Sequence, residues 1–332
     1  MYNVAINGLG RIGRAVLKNI INLHDIHLRA VNDLTPIDNL AYLLRYDSVY
    51  GRFKGTIDVA ADELQINDHM VQVLNQSTPE QLPWEELGVD LVFECTGLFR
   101  HYKDLEKHLQ AGAKRVLLSA PPKDADVPTL VVGVNELGPK PAAIFSTASC
   151  TTNCVAPVAE IMQRRIGVKK AMMTTTHAYT ASQEIVDAAS AKLERGRAGA
   201  ANLIPTTTGA ATSVTEVLPE YKGHFAGMAI RAPVTVGSIA DITFVTEKAT
   251  TTAEINDIFK QEAAGERYTD VLGVIEEPIV SSDIIMDPHA SVVDLTRTQV
   301  VDGDLVKIMS WYDNEWGYAH QMVKQAVAVL YK

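Results

Sequence analysis

The chain is 332 residues long, 47% hydrophobic and 21% charged, with a net charge of −10 at neutral pH. That length exceeds what one hydrophobic core usually supports, so two domains are expected. The acidic balance argues against a nucleic-acid binder working through a broad basic face. It leaves phosphorylated small molecules open, because helix N-termini and single arginines hold those locally. No apolar run reaches the length of a membrane span, and the first residues lack the basic-then-apolar pattern of a leader. Three cysteines do not make a disulfide framework and fit a reducing, cytoplasmic setting.

The first element is a strand-like run, Asn3-Val4-Ala5-Ile6-Asn7, opening into Gly8-Leu9-Gly10-Arg11-Ile12-Gly13-Arg14. A helical pattern through Val16, Leu17, Ile20 and Ile21 follows. In this G-x-G-x-x-G, Gly8, Gly10 and Gly13 permit a tight turn and close backbone approach, so that the helix N-terminus can receive a pyrophosphate. A second strand-like run, Ile26 to Val31, ends at Asn32-Asp33, with Asp33 20 residues beyond Gly13. A carboxylate there accepts from ribose hydroxyls and repels a 2′-phosphate, which favours NAD over NADP. Parallel-type strands are expected over 90–94, 115–118 and 129–132, with a helix over 102–111. Ligands of a doubly wound sheet lie at the carboxyl ends of its strands, which places Thr96 and Ser119 at the cofactor. Plain strand exits are the alternative.

An apolar run, Ala142 to Phe145, leads into Ser149-Cys150-Thr151-Thr152-Asn153-Cys154, and a helical run from Val155 to Met162 follows. Cys150 is then in the first turn of a helix, where free N–H groups and the dipole favour an anion, so its pKa is expected to be lowered. Core packing is the competing fate of such a cysteine. Cys150 and Cys154 are one turn apart, but two thiols without a second ligand pair do not make a metal site, and no metal is expected.

In the second half, Lys170 to Thr176 reads as a strand ending in His177, whose imidazole could stabilise a thiolate and accept a proton. Residues 181–205 lack strand alternation, and loops this long are usually functional or at an interface. Thr206-Thr207-Thr208-Gly209 opens another helix with a hydroxyl-rich N-terminus suited to an anion, or simply a threonine cap. Strands over 227–231 and 238–245 follow, the first ending in Arg231, a residue type suited to bidentate phosphate binding. A helix over 251–264, strands near 291–293 and 305–309, and a C-terminal helix over 315–330 complete the reading. The expected fold is α/β, a Rossmann-type dinucleotide-binding domain over 1–149 completed by the helix 315–332, and an α+β catalytic domain over 150–314 with a large, mostly antiparallel sheet.

Six segments in order resemble the phosphorylating glyceraldehyde-3-phosphate dehydrogenases over essentially the whole chain. They are Ile6 to Arg14, Glu94-Cys95-Thr96-Gly97, Ala148 to Cys154, His177-Ala178-Tyr179-Thr180, Thr207 to Ala211, and Trp311 to Tyr318. The resemblance implies that Cys150 attacks the aldehyde of glyceraldehyde 3-phosphate and that His177 handles the proton. Hydride then passes to NAD, and inorganic phosphate cleaves the thioester. It further implies that Ser149, Thr151, Thr208 and Gly209 bind the attacking phosphate, and Thr180 and Arg231 the substrate phosphate. Arg11 and Ile12 would lie near the pyrophosphate, Asp33 on the ribose and Asn314 on the nicotinamide carboxamide, with Tyr318 also among the cofactor-binding residues. A cytoplasmic homotetramer is implied, with the loop 181–205 at the interface.

The chain departs from the family in places. Ser182 stands where a carboxylate is usual, Ala188-Ala189 where a Leu-Pro pair is, and Ala232 to Ser238 differ from the usual run after Arg231. Smaller residues near the ribose admit NADP as a secondary cofactor, opposed by Asp33. The rival readings are an erythrose-4-phosphate dehydrogenase, which ends by hydrolysis, and a non-catalytic nucleotide-binding protein on the same scaffold.

Overall fold

The computed structural model describes residues 1–136 and 142–331. Residues 137–141, inside the expected first domain, and Lys332, at the end of the expected C-terminal helix, lie outside the described residues. The chain divides into two compact units. The first comprises Met1–Leu130 with residues 142–148 and 322–331; the second comprises Val131–Glu136 and Ser149–Gln321.

The first unit is built on an eight-stranded sheet. Its order is Ile144–Ser146, Val116–Leu118, Leu91–Glu94, Tyr2–Asn7, Ile26–Asn32, His69–Leu74, Glu63–Ile66 and Ile57–Ala60. The first six strands pair in parallel, and the last two add antiparallel hairpin partners. Alternation of short polar and apolar residues over 57–74 carries those hairpins, which the sequence reading passed over. The chain leaves Tyr2–Asn7 for Ile26–Asn32 on one side and later returns to Leu91–Glu94 on the other. That reversal opens a crevice at the strands' carboxyl ends, the place where such sheets hold ligands. The central strands are fully buried: Val4, Ala5, Ile6, Val92 and Phe93 are at most 1% exposed, as expected of a sheet covered on both faces.

The expected strand over 129–132 is corrected. Only Thr129 bridges to Ser146. The Asn135 Oδ1 accepts from Val131 N–H at 2.8 Å, and the chain turns there rather than continuing the ladder.

The second unit carries a sheet in the order Ile204–Thr206, Phe225–Ala232, Val168–Ala178, Ser238–Thr246, Leu305–Tyr312, Ser291–Asp294 and Leu272–Ile275, with Gln299–Val301 beside Leu305–Tyr312. Most pairings are antiparallel. The Val168–Ala178 strand pairs in parallel with Phe225–Ala232, which puts His177 opposite Arg231 in register. The helix Cys150–Arg165 lies against this sheet, and every residue from Thr151 to Met162 is buried. A helix buried on every face is a core helix, and its apolar residues from Cys154 to Met162 are the spine of the unit's hydrophobic cluster.

Candidate functional site

Two constellations form, one in each unit. In the first unit the turn after Tyr2–Asn7 is forced by its glycines. Gly8 has φ +92°, and a Cβ there would meet Thr96 backbone atoms at 2.8–2.9 Å. A Cβ on Gly13 would sit 1.9 Å from the Gly8 carbonyl oxygen, so this helix turn and the preceding loop pack as closely as backbone allows. Helix Arg11–Ile20 begins with no acidic residue in its first turn, and its N-cap, Gly10, has no side chain to cap its N–H groups. Beside it lies a cavity of about 310 Å³ lined by Asn7, Gly8, Gly10, Asn32, Asp33, Gln76, Thr96 and, on its apolar side, Leu34, Leu98 and Phe99.

Asp33 is held by the turn it serves: Oδ2 accepts from Leu9 N–H at 2.7 Å and Oδ1 from Thr35 N–H at 2.9 Å. Arg11 turns its side chain to Asp47 at 2.6 Å and over the Tyr50 ring, so the helix start offers its backbone. Ile12 follows it in the same first turn. Ser119 ends the strand Val116–Leu118, its N–H bonded to the Glu94 carbonyl at 3.0 Å. An uncapped helix N-terminus for a pyrophosphate, a carboxylate for a ribose and apolar walls for a base fit a dinucleotide.

In the second unit the sequence-singled residues converge. Ser149 is the N-cap of the helix Cys150–Arg165, its Oγ accepting from Thr152 N–H at 3.2 Å. This starts the helix at Cys150, whose Sγ is 3.4 Å from His177 Nε2. The Ala178 carbonyl is 2.6 Å from His177 Nδ1 and 3.0 Å from Arg231 Nη1. A carbonyl only accepts and a guanidinium only donates, so the Ala178 carbonyl and Arg231 call for opposite tautomers at Nδ1; the tautomer protonated on Nδ1 presents the Nε2 lone pair to the sulfur. Arg231 Nη1 lies 2.9 Å from the same ring nitrogen and 3.5 Å from Thr180 Oγ1, and its buried Nε has no partner among the described residues.

The electrostatics correct one expectation. Burial pushes the Cys150 thiol above its ordinary range, against the pull of Arg231, the Thr151 hydroxyl and the first helical N–H groups. Burial, then the adjacent Arg231 charge, depresses His177 to about 3. The resting pair is therefore neutral thiol and neutral imidazole. The helix N-terminus lowers the thiol less than desolvation raises it.

Thr151 is buried, its hydroxyl 2.9 Å from Tyr312 Oη, which also reaches Thr175 Oγ1 at 2.8 Å. Thr208 Oγ1 accepts from Ala210 N–H at 3.1 Å, and Gly209, the N-cap of the helix Ala210–Val217, stands open before it. Thr180 Oγ1 meets Ser182 Oγ at 2.9 Å, and Arg195 Nη1 is 3.4 Å from that same Ser182 hydroxyl. Asn314 Oδ1 accepts from Gly237 N–H and Ser238 Oγ, which turns its Nδ2 the other way. Tyr318 is buried in the first turn of the C-terminal helix Trp316–Leu330. Cys154 is wholly buried, with Ser291 Oγ at 3.8 Å, and is a packing residue. Sequence reasoning missed Arg195 and Tyr312. Neither spacing nor local pattern marks an arginine in an irregular loop or a tyrosine 161 positions from its partner.

Two family models match the chain: the glyceraldehyde 3-phosphate dehydrogenase NAD binding domain over residues 2–102, and the C-terminal domain of the same dehydrogenase over residues 149–314. The chain belongs to the glyceraldehyde-3-phosphate dehydrogenase family. It is 46% identical over 331 residues to the glyceraldehyde-3-phosphate dehydrogenase of Geobacillus stearothermophilus, covering 99% of this chain and 98% of that one. It is 46% identical to glyceraldehyde-3-phosphate dehydrogenase 1 of Trichormus variabilis, covering 99% and 97%, and 43% identical to the enzyme of Zymomonas mobilis, covering 97% of each chain. This family member is a glycolytic oxidoreductase with NAD as its cofactor.

Proposed function

We infer that the chain converts glyceraldehyde 3-phosphate, NAD⁺ and inorganic phosphate to 1,3-bisphosphoglycerate and NADH. The observation that carries the reading is the Cys150–His177 pair at 3.4 Å, with the Ala178 carbonyl 2.6 Å from Nδ1. The Cys150 sulfur adds to the aldehyde carbon, and the carbonyl oxygen takes up a proton to give a thiohemiacetal. His177 Nε2 then accepts the hydroxyl proton as hydride leaves the carbon, and a thioester remains. NAD⁺ supplies the hydride acceptor. A phosphate oxygen attacks the thioester carbonyl, the C–S bond breaks, and the sulfur departs as thiolate, so the oxidation energy passes into an acyl phosphate.

Arg231 and Thr180 are the proposed anchors of the substrate phosphate, with Arg195 beside them through Ser182. An anion at Arg231 neutralises the charge that opposes imidazolium next door, so substrate binding itself raises the basicity of His177. Ser149, Thr151, Thr208 and Gly209 are proposed for the attacking phosphate. Gly8, Gly10, Arg11, Ile12, Gly13, Asp33, Thr96 and Ser119 are proposed for the cofactor in the first unit, and Asn314 and Tyr318 in the second. The domain roles follow: dinucleotide binding for 1–149 with the C-terminal helix, catalysis for 150–314. Asp33 supports preference for NAD, with NADP as a secondary cofactor. Three free cysteines support a cytoplasmic setting, and exposed Ile185, Val186, Leu193 and Leu203 on the loop 181–205 support a homotetramer.

One assay tests the reading. NADH production from glyceraldehyde 3-phosphate, with and without phosphate or arsenate, should depend on the anion, should be slower with NADP⁺, and should fall more than about 10³-fold in Cys150→Ala. Phosphate-independent turnover of erythrose 4-phosphate would overturn it.

A further inference from the structure

The strand Leu91–Glu94 ends in a carboxylate that is wholly buried, 0% exposed, and that no lysine or arginine pairs with among the described residues. A buried carboxylate without a cation survives only if its lone pairs are filled by donors. Here they are. Oε2 accepts from Asn7 Nδ2 at 2.6 Å, and Oε1 accepts from Thr96 N–H at 2.8 Å and from the Thr96 hydroxyl. His108 Nε2 lies 3.2 Å from Oε2, and its Nδ1 receives the indole N–H of Trp84 at 3.0 Å. An indole only donates, so Nδ1 is the acceptor and Nε2 carries the ring proton to Glu94.

The network reaches outward from this buried hub. Asn7 Oδ1 accepts from Asn32 Nδ2 at 2.7 Å. Asn32 in turn closes a two-way clasp on the Gln76 backbone, with Nδ2 to the carbonyl and Oδ1 from the N–H, both 2.8 Å. Asn7, Asn32, Gln76 and Thr96 come from four separate segments, and all four line the cavity that holds Asp33. The carboxylate therefore gathers every segment that converges on the dinucleotide crevice, while Trp84 and His108 support it from behind.

We propose that Glu94 is a positioning residue for the adenosine half of the dinucleotide, acting through Thr96 and the Asn7–Asn32–Gln76 chain without touching the ligand, and that His108 and Trp84 hold it in place. Glu94→Gln is the sharpest probe, because it keeps shape while turning one acceptor into a donor that faces donors. The affinities of NAD⁺ and ADP-ribose should fall together by tenfold or more in calorimetry. The affinity for nicotinamide mononucleotide, kcat at saturating NAD⁺ and KM for the triose phosphate should stay within twofold of wild type. His108→Leu should weaken ADP-ribose binding in the same sense. His108→Gln, which offers one acceptor and one donor as the ring does, should restore it to within threefold. A folded Glu94→Gln enzyme with unchanged ADP-ribose affinity overturns the proposal. If that variant does not fold, equal ADP-ribose affinity in His108→Leu, His108→Gln and wild type does so instead. A wild-type enzyme that binds ADP-ribose but does not turn over glyceraldehyde 3-phosphate would count against the mechanism proposed above, not against this one.

Discussion

His177 is worth most attention among single residues because its protonation is tied to both chemistry and stability. Its folded pKa, about 3, lies below the unfolded value near 6.5, so the unfolded chain binds the proton first as pH falls. The imidazole therefore costs stability between those values, by about 1.4 kcal/mol for each pH unit below 6.5, and costs nothing above. Denaturant unfolding of wild type and His177→Asn at pH 7 and pH 5 should show the variant losing about 2 kcal/mol less on acidification. Equal losses would mean that the ring is protonated in the folded state. The same residue shows where sequence reading stops. His177 and Cys150 could be singled out from their motifs. That Arg231 sits 2.9 Å from the imidazole, and so adds to burial in holding that ring neutral, is a property of strand register that no spacing of 54 residues announces.

At the scale of elements, the legible parts are those in which local chemistry and tertiary role agree. Ser149 marks a helix start and is its cap; Thr251 likewise caps Thr252–Ala263, accepting from Glu254 N–H. The turn at Gly8 to Gly13 was legible because only glycine tolerates contacts of 1.9–2.9 Å at Cβ. The hairpins over 57–74 were not, since short half-exposed strands have no apolar run to mark them. The apolar segment at 129–132 misled in the opposite direction. Its buried Leu130 and Val131 look like a strand, but they pack as a turn pinned by Asn135. The sequence marks Glu94 by its place in a motif and not by its chemistry, because the four donors it gathers come from residues 7, 96 and 108.

For the whole molecule, the loop over 181–205 is the segment least explained by its own unit. Ile185 is 82% exposed and Leu193 86% exposed, and Gln183 is buried with both amide atoms lacking a partner among the described residues. Exposed large apolar groups beside an unsatisfied buried amide are what an uncovered interface looks like. Sedimentation at micromolar concentration should give the mass of a tetramer, and Leu193→Asp with Ile185→Asp should lower it; a monomeric wild-type species would refute this. The two-sheet design also has a kinetic side. The pairing of residues 171–178 with 225–232 is parallel, and the Thr151 hydroxyl meets a tyrosine 161 positions away. Parallel ladders and distant contacts close slowly, because a large loop must be ordered before any contact compensates for it. The nucleophile's helix can form early from its own cap, but the base and the arginine beside it must wait for the strands that carry them. During refolding, far-UV dichroism should recover ahead of dehydrogenase activity: the chain regains its shape first and its reactivity last.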